Sequence, residues 1–217
     1  QMPGENNDEV LKITAHARKL ASEIEASFPM LKIHITGIAI MGNAFTEEAM
    51  KDNISLVPAM YGIVILVLIL CLRSISATIA VIFLIIFSSV ATLGAGSWLG
   101  WPLTSTSAVS PIIILTLVVA DSVHLLVSML TNMRQGQQKN DAIKESIRIN
   151  LQPIFLTSLT TAIGFLSMNF SDSPPFRDLG NLVAIGSILA LILTVTFLPS
   201  LMSILPVSVK KERIIRH

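Results

Sequence analysis

The chain has 217 residues, of which 52% are apolar and 13% charged, with a formal net charge of +1 and a mean hydropathy of +0.72. Soluble domains carry about 25% charged residues, so this charge content excludes an ordinary water-soluble globule, and the apolar share excludes disorder. The balanced charge argues against a nucleic-acid partner, and the single cysteine, Cys71, excludes an internal disulfide or a multi-cysteine zinc site.

Residues 1–52 hold 5 Lys/Arg and 8 Asp/Glu and have an ordinary soluble composition. Val10, Ile13, Ala17, Leu20, Ile24 and Phe28 recur at steps of three and four, one apolar stripe of an amphipathic helix that Pro29 stops. Leu31 to Thr36 alternates with period two, which predicts a half-buried strand, and Gly37 allows a turn or bulge. Thr46-Glu47-Glu48 predicts the start of another helix running through Asp52 into the first apolar run. One helix and one strand cannot enclose a core, so this stretch reads as the end of a larger α/β domain. The chain opens on Gln and carries no signal peptide, and the expectation is a fragment whose preceding span and most of that domain lie upstream. His16 and His34 read as solvated, with no second ligand at metal spacing. No cofactor is expected.

Five apolar runs follow, at about 54–72, 75–97, 107–130, 151–170 and 179–205. Each approaches or exceeds the ~20 residues a helix needs to cross a bilayer, and lipid admits no open strands. The predicted fold class is therefore mainly α, a polytopic membrane bundle of five helices. The expected division is 1–53 outside the bilayer, 54–206 within it, and 207–217 as a basic tail. Arg73, Arg134, Lys139, Lys144, Arg148, Lys210, Lys211, Arg213 and Arg216 alternate to one side, which the positive-inside rule makes cytoplasmic. The opposite loops hold one basic residue, Arg177, together with Trp98 and Trp101, placed as an aromatic belt. The N-terminal segment is thus expected outside and the C-terminus inside.

Asp121 stands alone in the third run, ten residues after Pro111 and thirteen before Arg134. At 1.5 Å per residue it lies about 15–20 Å from either end, near the midplane. A charge there costs at least ~2.5–3.5 kcal/mol, so a stability-selected chain would carry Leu. A carboxyl group in hydrocarbon that exchanges a proton is what a proton carrier requires; the blander reading is a structural acid bonded to a neighbouring helix. His124 shares its face at i+3 and offers a relay or pairing partner. Ser122 offers either a hydrogen bond or back-bonding to its own helix. In the fourth run Thr157, Thr160, Thr161 and Gly164 share a broad face, as packing residues or as partners of Asp121. Gly94, Gly96 and Gly100 read as close-packing or loop residues, Ser173-Pro174-Pro175 as a helix start, and Pro199 as a kink or end of the last span.

The order VVADSVHLL, a segment rich in Lys and Arg, TSLTTAIGF, SDSPPFRDLG and LPSLMSILP resembles the resistance-nodulation-division (RND) superfamily. Within it the likeness is to the MMPL-like exporters of lipids and hydrophobic compounds, with the sterol-sensing domain as a cousin. The resemblance covers about residues 36–206. It implies the last five of six spans of one repeat, preceded by the end of a porter-like domain, in a bacterial cytoplasmic (inner) membrane. It also implies proton antiport through Asp121, with Thr160 and Thr161 as the hydroxyl pair beside the relay, and a second repeat or another copy as partner. Many members place Tyr after that Asp, where this chain has Ser122, which turns attention to His124 or to a group on the partner half.

The expected function is export driven by the proton-motive force; a non-transporting lipid- or sterol-sensing domain or scaffold is the alternative. An enzyme is not expected. The sequence contains no Gly-x-Gly-Asp with a second membrane Asp, no Gly-x-Ser-Gly, no His-Glu-x-x-His and no phosphate-binding loop for ATP.

Overall fold

A computed structural model of the chain describes residues 7–101, 104 and 106–207. Helices α1 (Asn7–Ser27), α2 (Ile38–Ile54), α3 (Leu56–Leu72), α4 (Ile75–Trp98), α5 (Ser110–Arg134), α6 (Lys139–Leu166) and α7 (Pro174–Ile204) follow one another, with short 3-10 turns at Ser107–Val109 and Ser167–Phe170. No strand occurs among the described residues. Two compact units divide at Met60 and Tyr61.

In the first unit α1 packs on α2. Arg18 Nη1 donates to Glu47 Oε1 at 2.7 Å and Oε2 at 2.9 Å, and Asn43 Nδ2 donates to Glu47 Oε1 at 2.7 Å. The strand expected at 31–36 does not form. The Ile33 N–H donates instead to Glu25 Oε1 at 2.6 Å, and a lone strand without a ladder partner is not stable. The helix expected from Thr46 starts eight residues earlier, at Ile38. Gly37, at φ 131° and ψ 164°, makes the turn into it, a conformation that glycine adopts freely. Ile13, Leu20 and Phe28 of the apolar stripe on α1 are exposed.

The second unit is a helix bundle, and five helical stretches are long and apolar enough to cross a membrane: Ile40–Leu72, Ile75–Trp98, Ser107–Arg134, Lys139–Phe170 and Pro174–Ile204. The chain is a multi-pass membrane protein. Helix α7 packs on α4, α5 and α6, and α5 packs on both α4 and α6. Glycines allow those close approaches. A Cβ on Gly180 would lie 2.4 Å from the Phe165 carbonyl oxygen, and one on Gly186 would lie 2.5 Å from Ile114 Cδ1 and 2.7 Å from Thr92 Cγ2. Gly96 is a packing residue against Leu182 and Gly100 a turn residue at φ +74°, whereas Gly94 and Gly164 face open space.

Pro199 does not end the last helix, which continues to Ile204. The missing N–H frees the Val195 carbonyl four residues back, a loss that membrane helices tolerate inside a packed bundle. Nearby, Thr196 Oγ1 donates to the Ile192 carbonyl and Ser200 Oγ to that of Thr196, ordinary back-bonds within the helix. The basic stretch before the fourth run is helical from Lys139 onward and carries an Arg148–Glu145 pair at 2.6 Å.

One end of the bundle is tied by side chains that cap helix C-termini. Lys139 Nζ donates to the carbonyls of Ser203 at 2.6 Å and Leu205 at 2.7 Å, and Ser76 Oγ donates to that of Pro206 at 2.7 Å. Arg134 Nη2 reaches the Leu72 carbonyl at 3.4 Å. Cations at a helix C-terminus complement its dipole and its orphan carbonyls.

Candidate functional site

Asp121 lies in the middle of α5 and is 6% exposed, the only Asp, Glu, Lys or Arg buried among the described residues. Helix α6 brings its partner. Ser158 Oγ donates to Asp121 Oδ2 at 3.3 Å, longer than the usual 2.5–3.0 Å for an O–H···O bond. Ser187 of α7 extends the line, its hydroxyl donating to the Ala184 carbonyl at 2.8 Å and lying 3.5 Å from that of Ser158. Ser158 thus ties α6 to the carboxylate by its side chain, and Ser187 ties α7 to the Ser158 backbone.

The same seam continues toward the other end of α5. Asn150 Nδ2 donates to Ser128 Oγ at 2.9 Å and to its own helix at Ser146. Ser146 Oγ donates to the Leu125 carbonyl. Ala142, Ser146, Asn150, Ile154, Ser158 and Ala162, all buried, form one i+4 row on α6, the ridge that packs into a neighbouring helix. Buried polar groups demand partners, and this row supplies them to α5.

The structure sorts the residues singled out in the sequence. Thr160 is exposed and its hydroxyl donates to the carbonyls of Leu156 and Thr157 within its own helix. Thr161 is half-buried and forms no hydrogen bond to Asp121 among the described residues. The hydroxyl beside the carboxylate is therefore that of Ser158 rather than of the Thr160–Thr161 pair, because the buried row of α6 passes through 154, 158 and 162. Thr157 Oγ1 donates to the Ile154 carbonyl of its own helix at 2.9 Å. His124 forms no hydrogen bond with Asp121 and stands on the exposed side of α5. Ser122 neither donates across the interface nor back-bonds: its hydroxyl is buried without a partner, as are those of Ser88, Ser110 and Thr194. Ser158 was legible as the next member of the small-residue i+4 row, a signal masked by the more numerous threonines around it.

No group of three or more His, Cys, Asp or Glu side chains that could hold a metal lies together among the described residues. What the arrangement can do chemically is hold one carboxyl group, neutral or ionised, against a hydroxyl donor in a water-poor interior.

Comparisons with known proteins identify the family. The model of the MMPL family matches residues 2–215. A putative membrane protein, MJ1562, of Methanocaldococcus jannaschii is 25% identical over 177 residues, covering 81% of this chain and 45% of that protein. The siderophore exporter MmpL5 of Mycobacterium tuberculosis is 23% identical over 210 residues, 94% of this chain and 22% of that protein. The chain thus spans less than half the length of either relative. No solved structure matches it. With the family model covering nearly every residue, and a helical bundle built around one buried carboxylate, the chain belongs to the MMPL family.

Proposed function

We propose that the chain is the membrane part of a secondary exporter of lipids or other hydrophobic compounds, driven by proton antiport, with Asp121 as the carrier. The observation that carries this reading is the solitary buried carboxylate of α5, held by Ser158 where a stability-selected helix would place an apolar residue. A cycle of protonation and release at Asp121 changes the charge inside the bundle. It therefore biases the packing of α5 against α6 and α7, the kind of two-state motion alternating access requires. His124, on the exposed side of α5 one turn away, and the hydroxyls of Ser122 and Thr157 are the groups nearest a proton route. The cargo reading rests on membership in a family with an exporter among its relatives. We assign no catalytic step, and take the multi-pass chain to lie in a bacterial cytoplasmic membrane with its N-terminal segment outside, as the basic loops suggest. A second repeat or another copy is the expected partner.

The test uses inside-out membrane vesicles energised with a proton gradient and a fluorescent lipophilic amphiphile. Uptake that an uncoupler abolishes, and that Asp121→Asn eliminates while the variant inserts at normal levels, is the expected result. Unimpaired uptake by Asp121→Asn overturns the assignment.

A further inference from the structure

The outer surface of the bundle carries an apolar trough between α6 and α7, distinct from the Asp121 site. Its walls are Ala162, Leu166, Ala184, Ile185, Ile188 and Leu189, and it is an open groove of about 270 Å³. Against roughly 30 Å³ for a water in bulk liquid, that is room for a chain segment rather than a single solvent molecule. No polar side chain lines it. Its floor is set by small residues, Ala162 at 5% and Ala184 at 4% exposure, while Leu166 and Ile188 stand up as exposed rims.

The trough changes character at the end where α6 finishes and α7 begins. Three residues beyond Leu166, Asn169 Nδ2 donates to Asn181 Oδ1 at 2.7 Å, and Asn181 Nδ2 returns a bond to Asn169 Oδ1 at 3.1 Å. Asn181 lies one turn from Ile185 on α7, and Arg177 lies one turn farther on the same row. Arg177 is exposed; its Nε donates to the Ser171 carbonyl at 2.6 Å, which fixes the guanidinium root. Among the described residues it forms no ion pair and its Nη groups bond to nothing. Of the neighbouring carboxylates, Asp172 is exposed in the preceding turn, and Asp178 faces the other way, lining a small cleft with Gly96, Trp101 and Leu182.

An apolar trough on two helices long enough to cross a bilayer, with an amide pair and a free guanidinium one and two turns beyond Ile185 on the same row of α7, matches the two halves of one molecule. We propose that this trough binds a bilayer phospholipid, with an acyl chain along Ala162, Ala184 and Ile188 and the phosphate at Arg177. Guanidinium–phosphate pairing supplies the orientation, and the apolar floor supplies contact that a disordered lipid tail does not find on a smooth helix face. This reading rests on α6 and α7 crossing the bilayer and not on proton carriage, so Asp121→Asn is expected to leave binding intact.

The purified full chain is reconstituted in phosphatidylcholine vesicles containing a small fraction of phospholipid with a photoactivatable diazirine in mid-chain, irradiated, and mapped by peptide mass spectrometry. Adducts are expected to concentrate in residues 160–167 and 183–190. Ile188→Trp, or Leu166→Trp from the opposite rim should the first variant fold poorly, is expected to reduce them several-fold. Arg177→Gln should lower labelling by the phospholipid probe but not by a diglyceride probe carrying the same chains. Adducts spread evenly over the lipid-facing helices, or unaffected by either tryptophan, overturn the proposal. So does a trough free of adducts in which Ile188→Cys cross-links to a second copy, since another protein then covers it.

Discussion

Asp121, Ser122 and Ser158 show how differently one buried polar atom can behave from the next. Ser158 donates to the carboxylate at 3.3 Å, and deleting that donor costs about 1 kcal/mol in a typical net hydrogen bond. Ser158→Ala is therefore expected to leave the bundle folded while slowing proton-coupled uptake, whereas Thr160→Val, whose hydroxyl serves only its own helix, leaves uptake unchanged. The vesicle assay decides this, and equal rates in the two variants would remove Ser158 from the site. Ser122 makes the complementary case, because its buried hydroxyl has no partner in the described structure. Replacing an unsatisfied polar group with Ala relieves a desolvation penalty of about 1–3 kcal/mol. Ser122→Ala should then unfold no earlier than the parent in detergent, and a loss of uptake without a loss of stability would mark the hydroxyl as part of the proton route. The carboxylate itself was legible in the sequence, since a lone Asp between apolar residues is costly anywhere in a bilayer. Its partner was not, because one broad threonine-rich face and the small-residue row through Ser158 compete on α6, and only packing against α5 selects between them.

At the scale of elements, hydropathy finds helices that lipid forces to exist and misjudges those that neighbours decide. Helices α4 to α7 follow from apolar length, because hydrocarbon leaves the backbone no other partner. The alternating stretch Leu31–Thr36 follows no such rule: period two signals a strand only where a ladder is available, and here Glu25 takes the Ile33 N–H. Pro199 fails as a stop signal for a related reason, since it is buried in the surrounding bundle, whose packing holds α7 helical through it to Ile204. Glycines show the same division. Gly164 and Gly180 look alike in the sequence, yet a Cβ at Gly164 meets nothing, while one at Gly180 would press on the Phe165 carbonyl oxygen at 2.4 Å and on Met168 Cβ at 2.8 Å. Backbone cannot swing aside as a side chain can. Gly180→Ala should destabilise the α6–α7 contact by about 1–3 kcal/mol through overpacking, and Gly164→Ala should be neutral or gain up to about 1 kcal/mol in helix propensity. Thermal unfolding of the two variants in the same detergent tests the contrast; equal midpoints would refute the close approach.

For the whole molecule, the two ends of the bundle are chemically distinct, and this bears on how it sits in a membrane. The turns at 72–76, 134–139 and 203–206 come together through the contacts of Arg134, Lys139 and Ser76 with carbonyls of Leu72, Ser203, Leu205 and Pro206. The opposite end gathers Trp101, Asp178 and the Asn169–Asn181 pair. Basic residues therefore have two roles at the first end. By the positive-inside rule they would bias orientation, and Lys139 also closes the C-terminus of α7, where hydrogen bonds to a charged donor contribute about 1.5–3 kcal/mol. Lys139→Met should cost stability of that order without inverting the chain, because the sequence supplies eight other basic residues to the loops and tail that the positive-inside rule assigns to one side. Orientation itself is tested in a Cys71→Ser background with single cysteines at two exposed positions, Gln137→Cys in the α5–α6 turn and Asp172→Cys before α7. A membrane-impermeant maleimide added to intact cells should label Asp172→Cys directly and Gln137→Cys only after permeabilisation. Adding Lys139→Met should not alter that pattern. The reverse labelling order would place the basic end outside, and Arg177 with its trough would then face the cytoplasmic leaflet. Labelling thus decides which leaflet would supply the phospholipid.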